Sequence, residues 1–205
     1  MAKLTTKLGH SMHSDPYAPP TADCSVGDDL LSAFFVISKR KLAILFIATS
    51  GFYVLYWLYR NWHRYRSATA TKVIPLIRAL MGVWFVYSLF RTVDRRIFAM
   101  GHRYKWYPRF LALAFILFSA LQSARVWLLD LHLGFAMLIA LLALQVSCLM
   151  RMQEAVNHLA DDISARQNST LTPMNWLWIV LGLCWWGILA DAVFTGIAGR
   201  EPGSP

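Results

Sequence analysis

Uncharged apolar runs, separated by clusters of arginine and lysine, set the pattern of this chain. Residues 42–59 (LAILFIATSGFYVLYWLY) carry no charge and are bracketed by Lys39, Arg40, Lys41 and by Arg60. Residues 110–150 contain only Arg125 and Asp130 as formal charges. That stretch is too long for one crossing, since about 20 apolar residues at ~1.5 Å rise traverse a ~30 Å hydrocarbon layer. It predicts a helical hairpin, 110–124 and 134–150, turning through 125–133. Residues 174–199 hold a single charge, Asp191. The expectation is an all-α polytopic transmembrane helix bundle over 34–199, with crossings at 42–59, 110–124, 134–150 and 174–199.

A fifth segment, 73–90 (VIPLIRALMGVWFVYSLF), carries Arg78 near one end. A surface-lying helix shows one polar and one apolar face, and between Ala79 and Phe90 apolar side chains point in every direction. This favours insertion, with the Arg78 guanidinium snorkelling to the headgroups. The alternatives are a full crossing and a re-entrant or interfacial helix. Beyond the fourth crossing, 151–166 reads as an amphipathic helix with Met152, Val156, Leu159 and Ile163 on one face. Residues 1–33, with Pro16, Pro19 and Pro20, read as a polar disordered tail without a signal-peptide core. LLSAFFVI at 30–37 is too short to span and lies at the interface or packs on the bundle. The closing 200–205 reads as a frayed end.

Composition sharpens this picture. The 205 residues are 57% apolar and 15% charged, with a formal net charge of +9. That excludes a disordered protein, which needs low hydrophobicity. Three cysteines exclude a disulfide-stapled secreted module. Counting lysines and arginines does not choose between four and five crossings, because both concentrate them on one side by nearly the same margin. The Lys39–Lys41 cluster beside the first helix favours a cytoplasmic N-terminus.

Several stretches together resemble an uncharacterised family of small polytopic bacterial inner-membrane proteins. They are DPYAPP in the tail, FFVISKRKL before the first run, TSGFYVLYWLYRNW across its end, IRALMGVWFVYSLF, QEAVNHL, and NWLWIVLGLCWWGIL in the last run. The resemblance implies a multi-pass protein of the bacterial inner (plasma) membrane. It brings no activity and no catalytic residues.

Candidate chemistry is sparse. The end of the first run gathers Trp57, Tyr59, Arg60, Trp62 and Arg64, rings and cations suited to headgroup depth. A place beside a crossing argues against nucleic acid as the partner of these residues. Asp191 stands nine residues before Arg200, about 13 Å by helix rise, and a carboxylate inside the apolar layer usually has a partner. Arg125 and His132, in the same turn as Asp130, are candidates in either topology, and Arg78 if its segment spans. A buried ion pair fixing the packing outweighs a proton or ion relay. Glu154, His158 and Asp162 follow at i, i+4, i+8, but no second cluster completes a metal site. The chain has no CxxC, HExxH, GxSxG or phosphate-binding glycine loop. The expectation is a non-enzymatic membrane protein, without cofactor or metal, that acts by binding a partner. One form of it is an immunity-type protein against a membrane-targeting bacterial toxin. The rival is a small transporter or ion-conducting subunit built on Asp191 and Arg125.

Overall fold

The computed structural model describes residues 33–101 and 104–198. The expected tail, apart from Ala33, and the 200–205 end lie outside them. The regular structure of the described residues is helical: α1 (Lys39–Ala48), α2 (Tyr53–Thr69), α3 (Pro75–Leu80), α4 (Gly82–Ala99), α5 (Pro108–Leu128), α6 (Leu131–Leu159) and α7 (Pro173–Ala198), with a 3-10 turn at Arg166–Asn168. Three stretches, Pro108–Trp127, Leu131–Leu159 and Pro173–Thr195, are helical, long and apolar enough to cross a membrane. They contain the expected hairpin and the expected last run.

The 42–59 run departs from expectation: it is two helices, not one. At 10 residues, α1 is about 15 Å long, half an apolar layer. It stops because Thr49 turns its hydroxyl back on the Leu45 carbonyl (2.8 Å) and accepts the Tyr53 N–H (2.9 Å). Ser50 and Gly51 follow with φ of 54° and 93°. Their N–H groups close on the Ile47 and Phe46 carbonyls at 3.0 and 2.8 Å, the pair of bonds that ends a helix on a left-handed residue. An apolar run thus conceals a polar, glycine-assisted stop at its centre.

Contacts along α1 and α2 show that the chain then folds back. Lys41 reaches Asn168 and Thr170, both at 2.7 Å, just before α7 begins. Gly51 lies against Leu142, and Phe52 meets Trp185 at 6.2 Å between ring centroids, both deep in their helices. Further along α2, Trp57 bonds Gln153 (2.8 Å) and Asn61 bonds the Phe35 N–H (3.2 Å). Both limbs therefore open at the end of the bundle where α6 finishes and α7 starts, here the near end. The 128–131 turn marks the far end.

The 73–90 segment is also two helices, parted at Met81. The short α3 runs down beside α2: the Arg78 guanidinium lies 4.2 Å from the Trp62 ring centroid, and Gly82 abuts Leu58. Then α4 returns, bringing Arg96 over Tyr65 (5.9 Å) and Phe90 beside Trp106 (5.9 Å). Of the two alternatives for this segment, the geometry is that of a hairpin, not a straight crossing.

Residues 33–38 thread between these elements, with Phe34, Phe35 and Ile37 buried. Buried backbone needs partners, and amide side chains supply them. Gln153 Nε2 donates to the Phe35 carbonyl (2.9 Å), Asn157 Nδ2 to Ile37 (3.1 Å) and Asn168 Nδ2 to Val36 (3.0 Å). The expected 151–166 helix is the last part of α6 and stops at Leu159. There Asp161, at φ 52°, and Asp162 send their N–H groups back to the His158 and Asn157 carbonyls. Met152, Val156 and Leu159 are buried as expected, whereas Ile163 lies past the stop and is exposed.

Candidate functional site

The tips of the two hairpins, residues 49–52 and 80–83, meet beside the middles of α5 and α6. Between them is a cavity of about 260 Å³. Its apolar wall includes Phe46, Val54, Leu58 and Phe115, and its polar groups are Ser50, Ser119, Gln122 and Gln145. Gln145, 5% exposed, donates from Nε2 to Ser119 Oγ at 3.0 Å, and that hydroxyl donates to the Phe115 carbonyl at 2.8 Å. Gln122 Oε1 is buried and has no hydrogen-bond partner. A buried acceptor left unpaired costs about 1–3 kcal/mol, so this oxygen marks where a donor would be welcome. Among the described residues, no Asp, Glu, Lys, Arg or His lines the cavity. Leu55, Leu80 and Val83 line it yet are exposed, so the cavity opens sideways between the tips.

Two glycines permit this geometry. A Cβ at Gly182 of α7 would overlap the Ala48 carbonyl, so the helix backbone itself backs the first tip. The Trp186 indole N–H donates to the Ile47 carbonyl at 2.9 Å, a second bond to an oxygen that already accepts the Ser50 N–H, and so ties α7 to the first tip. Gly82 occupies the second tip, where a Cβ would stand 2.6 Å from Leu58 Cδ1.

The residues singled out from sequence lie elsewhere. Asp191 is exposed on α7. Phe135 and Trp186 meet edge to face at 6.0 Å between ring centroids, and Asp191 is about 7–8 Å beyond Trp186 by helix rise, level with the far turn rather than well inside the layer. Arg125 donates to the Gly134 carbonyl (3.1 Å), closing the α5–α6 turn. Asp130 caps α6 by accepting the Leu133 N–H at 3.2 Å. His132 is half-buried at the same end. The expected pairing does not form: the ion pairs among the described residues are Lys39–Glu154 and Arg151–Glu154. Arg78 sits between Trp62 and Phe85 rather than opposite Asp191.

The aromatic and basic cluster divides in two. Trp57 and Trp62 are almost wholly buried and turn inward, whereas Tyr59 is half-buried beside His63. Arg60 and Arg64 both lie against the Phe35 ring. Of the helical trio, Glu154 takes the two ion pairs, His158 lies against the Tyr104 ring, tilted, at 5.0 Å between centroids, and Asp162 accepts the Arg166 N–H. Among the described residues no three His, Cys, Asp or Glu side chains gather as a metal site. Sequence reasoning passed over Ser119, Gln122 and Gln145. The available signal was a serine and two glutamines within otherwise apolar runs, together with Thr49-Ser50-Gly51 at the centre of another. No protein-family model, curated protein or solved structure matches the chain.

Proposed function

We propose that this chain is a non-enzymatic, multi-pass protein of the bacterial inner membrane that acts by binding. Its ligand is an uncharged, mostly apolar molecule bearing a hydrogen-bond donor, held between the two hairpin tips. One observation carries the reading: two interrupted helices place their breaks beside the middles of α5 and α6, around a cavity with an unpaired acceptor. Irregular backbone at membrane depth persists only where protein covers it or where it lines a cavity, and paired helix breaks near the midplane are a usual setting for binding sites. Among the described residues the lining carries neutral polar groups and no ionisable side chain, which supports a neutral ligand over an ion, and Asp191 and Arg125 lie at the far end. No feature of the geometry favours the toxin-neutralising form of this reading. Apart from Arg125, the lysines and arginines of the described residues belong to the near end or to the hairpins that open there. Excess basic charge marks the cytoplasmic side, so the near end faces the cytoplasm.

The test is photolabelling in membranes with a long-chain alcohol carrying a diazirine. Labelling is expected to concentrate on peptides containing 46–58, 80–83 and 115–122. Gln122→Leu should reduce it several-fold while the protein stays folded. Uniform labelling of the exposed apolar surface, α7 included, would overturn the reading.

A further inference from the structure

The near end carries a second site, distinct from the cavity. On α2, Arg60 and Arg64 stand one helical turn apart, and both guanidinium carbons lie over one ring, Phe35, at 5.2 and 5.6 Å from its centroid. Like charges at i, i+4 repel. Burial, followed by the charge of Arg60, lowers the Arg64 pKa from its usual value. No carboxylate among the described residues answers them, since both ion pairs fall on Glu154. Arg64 spends one donor on the Phe34 carbonyl at 3.4 Å, and Arg60 Nε is buried without a partner. Such an arrangement holds two cations together at a cost that a bound anion would offset.

We propose that Arg60 and Arg64 bind the phosphate of an anionic phospholipid. Guanidinium forks match phosphate oxygens in pairs, and basic pockets between membrane helices on the cytoplasmic side suit acidic headgroups. The Phe35 ring holds both guanidiniums in place by cation–π attraction. Exposed Tyr56, edge-on to Phe35 at 6.4 Å, supplies an amphipathic side chain beside the headgroup. A free phosphate shares this chemistry, but acyl chains give the lipid a second, apolar hold on the protein that a free anion lacks.

The test uses the full chain in nanodiscs of phosphatidylcholine alone or with phosphatidylglycerol. Phosphatidylglycerol should raise the thermal midpoint by several degrees and stay bound in native mass spectrometry. The double variant Arg60→Gln/Arg64→Gln should lose that shift and retain the lipid at least tenfold less. Arg66→Gln, at an exposed arginine of the same helix, should keep both. An undiminished phosphatidylglycerol shift in the double variant would sink the proposal. So would an equal shift from inorganic phosphate in phosphatidylcholine discs, which would identify a free anion as the ligand. The photolabelling pattern of the cavity is independent of these outcomes.

Discussion

The two hairpins reach the same cavity with opposite degrees of support. Along α1–α2, Leu42, Leu45, Phe46, Tyr53, Trp57, Leu58 and Trp62 are buried. Polar ties hold it at both levels, Lys41 to Asn168 and Thr170 at the near end and Trp186 to the Ile47 carbonyl at the tip. By contrast α3 and its tip expose Leu76, Ile77, Leu80, Met81 and Trp84. It is held against α2 by buried Pro75 and Ala79 and by Arg78 over the Trp62 and Phe85 rings. The first break is backed by α7, through Gly182 and Trp186, whereas the second presents an exposed apolar rim, the side from which an apolar ligand would reach the cavity out of the bilayer.

The largest expected effect is all-or-none and tests whether the second hairpin returns at all. Single cysteines at Ala70→Cys, Ala99→Cys and Leu131→Cys, in a chain with Cys24, Cys148 and Cys184 replaced, report side by reaction with a membrane-impermeant maleimide. The first two should label from one face of oriented vesicles and the third from the other. Labelling of Ala70→Cys and Ala99→Cys from opposite faces would make α3–α4 a crossing and end the comparison.

What was legible beforehand follows from the range of each signal. The three long helices show in sequence because composition over some 20 residues decides membrane compatibility. The hairpins do not, because a break costs few residues: Thr49, Ser50 and Gly51 are small enough to leave the 42–59 run looking continuous. Averaging hydrophobicity over that window hides a turn set by a hydroxyl and two left-handed residues. Once both segments fold back, the loops before α5 share one end, and the tie in basic charge between four and five crossings disappears. Charged residues drew attention in sequence because charge in an apolar layer is conspicuous. Arg125 and Asp130 prove to shape a turn, while the cavity is furnished by neutral Ser119, Gln122 and Gln145. Whether Gln122 is paired depends on tertiary contacts that no local pattern encodes.

A second test strikes the support behind the first tip. Gly182→Ala places a methyl group into the Ala48 carbonyl, and backbone cannot swing aside as a side chain can. Overpacking of this kind costs about 1–3 kcal/mol, and backbone overlap belongs at the upper end or above it. Gly187→Ala, about one and a half turns along the same helix with no described atom within 4 Å of the added Cβ, should raise stability slightly, by up to about 1 kcal/mol, because Ala is favoured over Gly in a helix interior. Thermal unfolding in detergent, followed by tryptophan fluorescence, measures both. Equal midpoints for the two variants would mean that α7 does not press on the first tip.

The smallest effects compare the tips residue for residue. Gly51 has φ 93°, a conformation that strains any L side chain by about 1–3 kcal/mol. Its added Cβ would meet Leu142 and Phe46 at an ordinary 3.4–3.5 Å, so Gly51→Ala should show the strain alone and lower stability by that amount. Gly82 is the first residue of α4, where Ala gains over Gly at most the ~1 kcal/mol of a helix interior. Against this gain stands the 2.6 Å approach to Leu58 Cδ1, the far end of a flexible side chain that borders the cavity. Leu58 can turn into that space, so Gly82→Ala should change stability by less than about 1 kcal/mol while narrowing the cavity. It should therefore weaken photolabelling more than it shifts the unfolding midpoint, whereas Gly51→Ala should do the reverse. If Gly82→Ala proves the more destabilising of the two, the second tip is as rigidly packed as the first, and ligand access must run by another route.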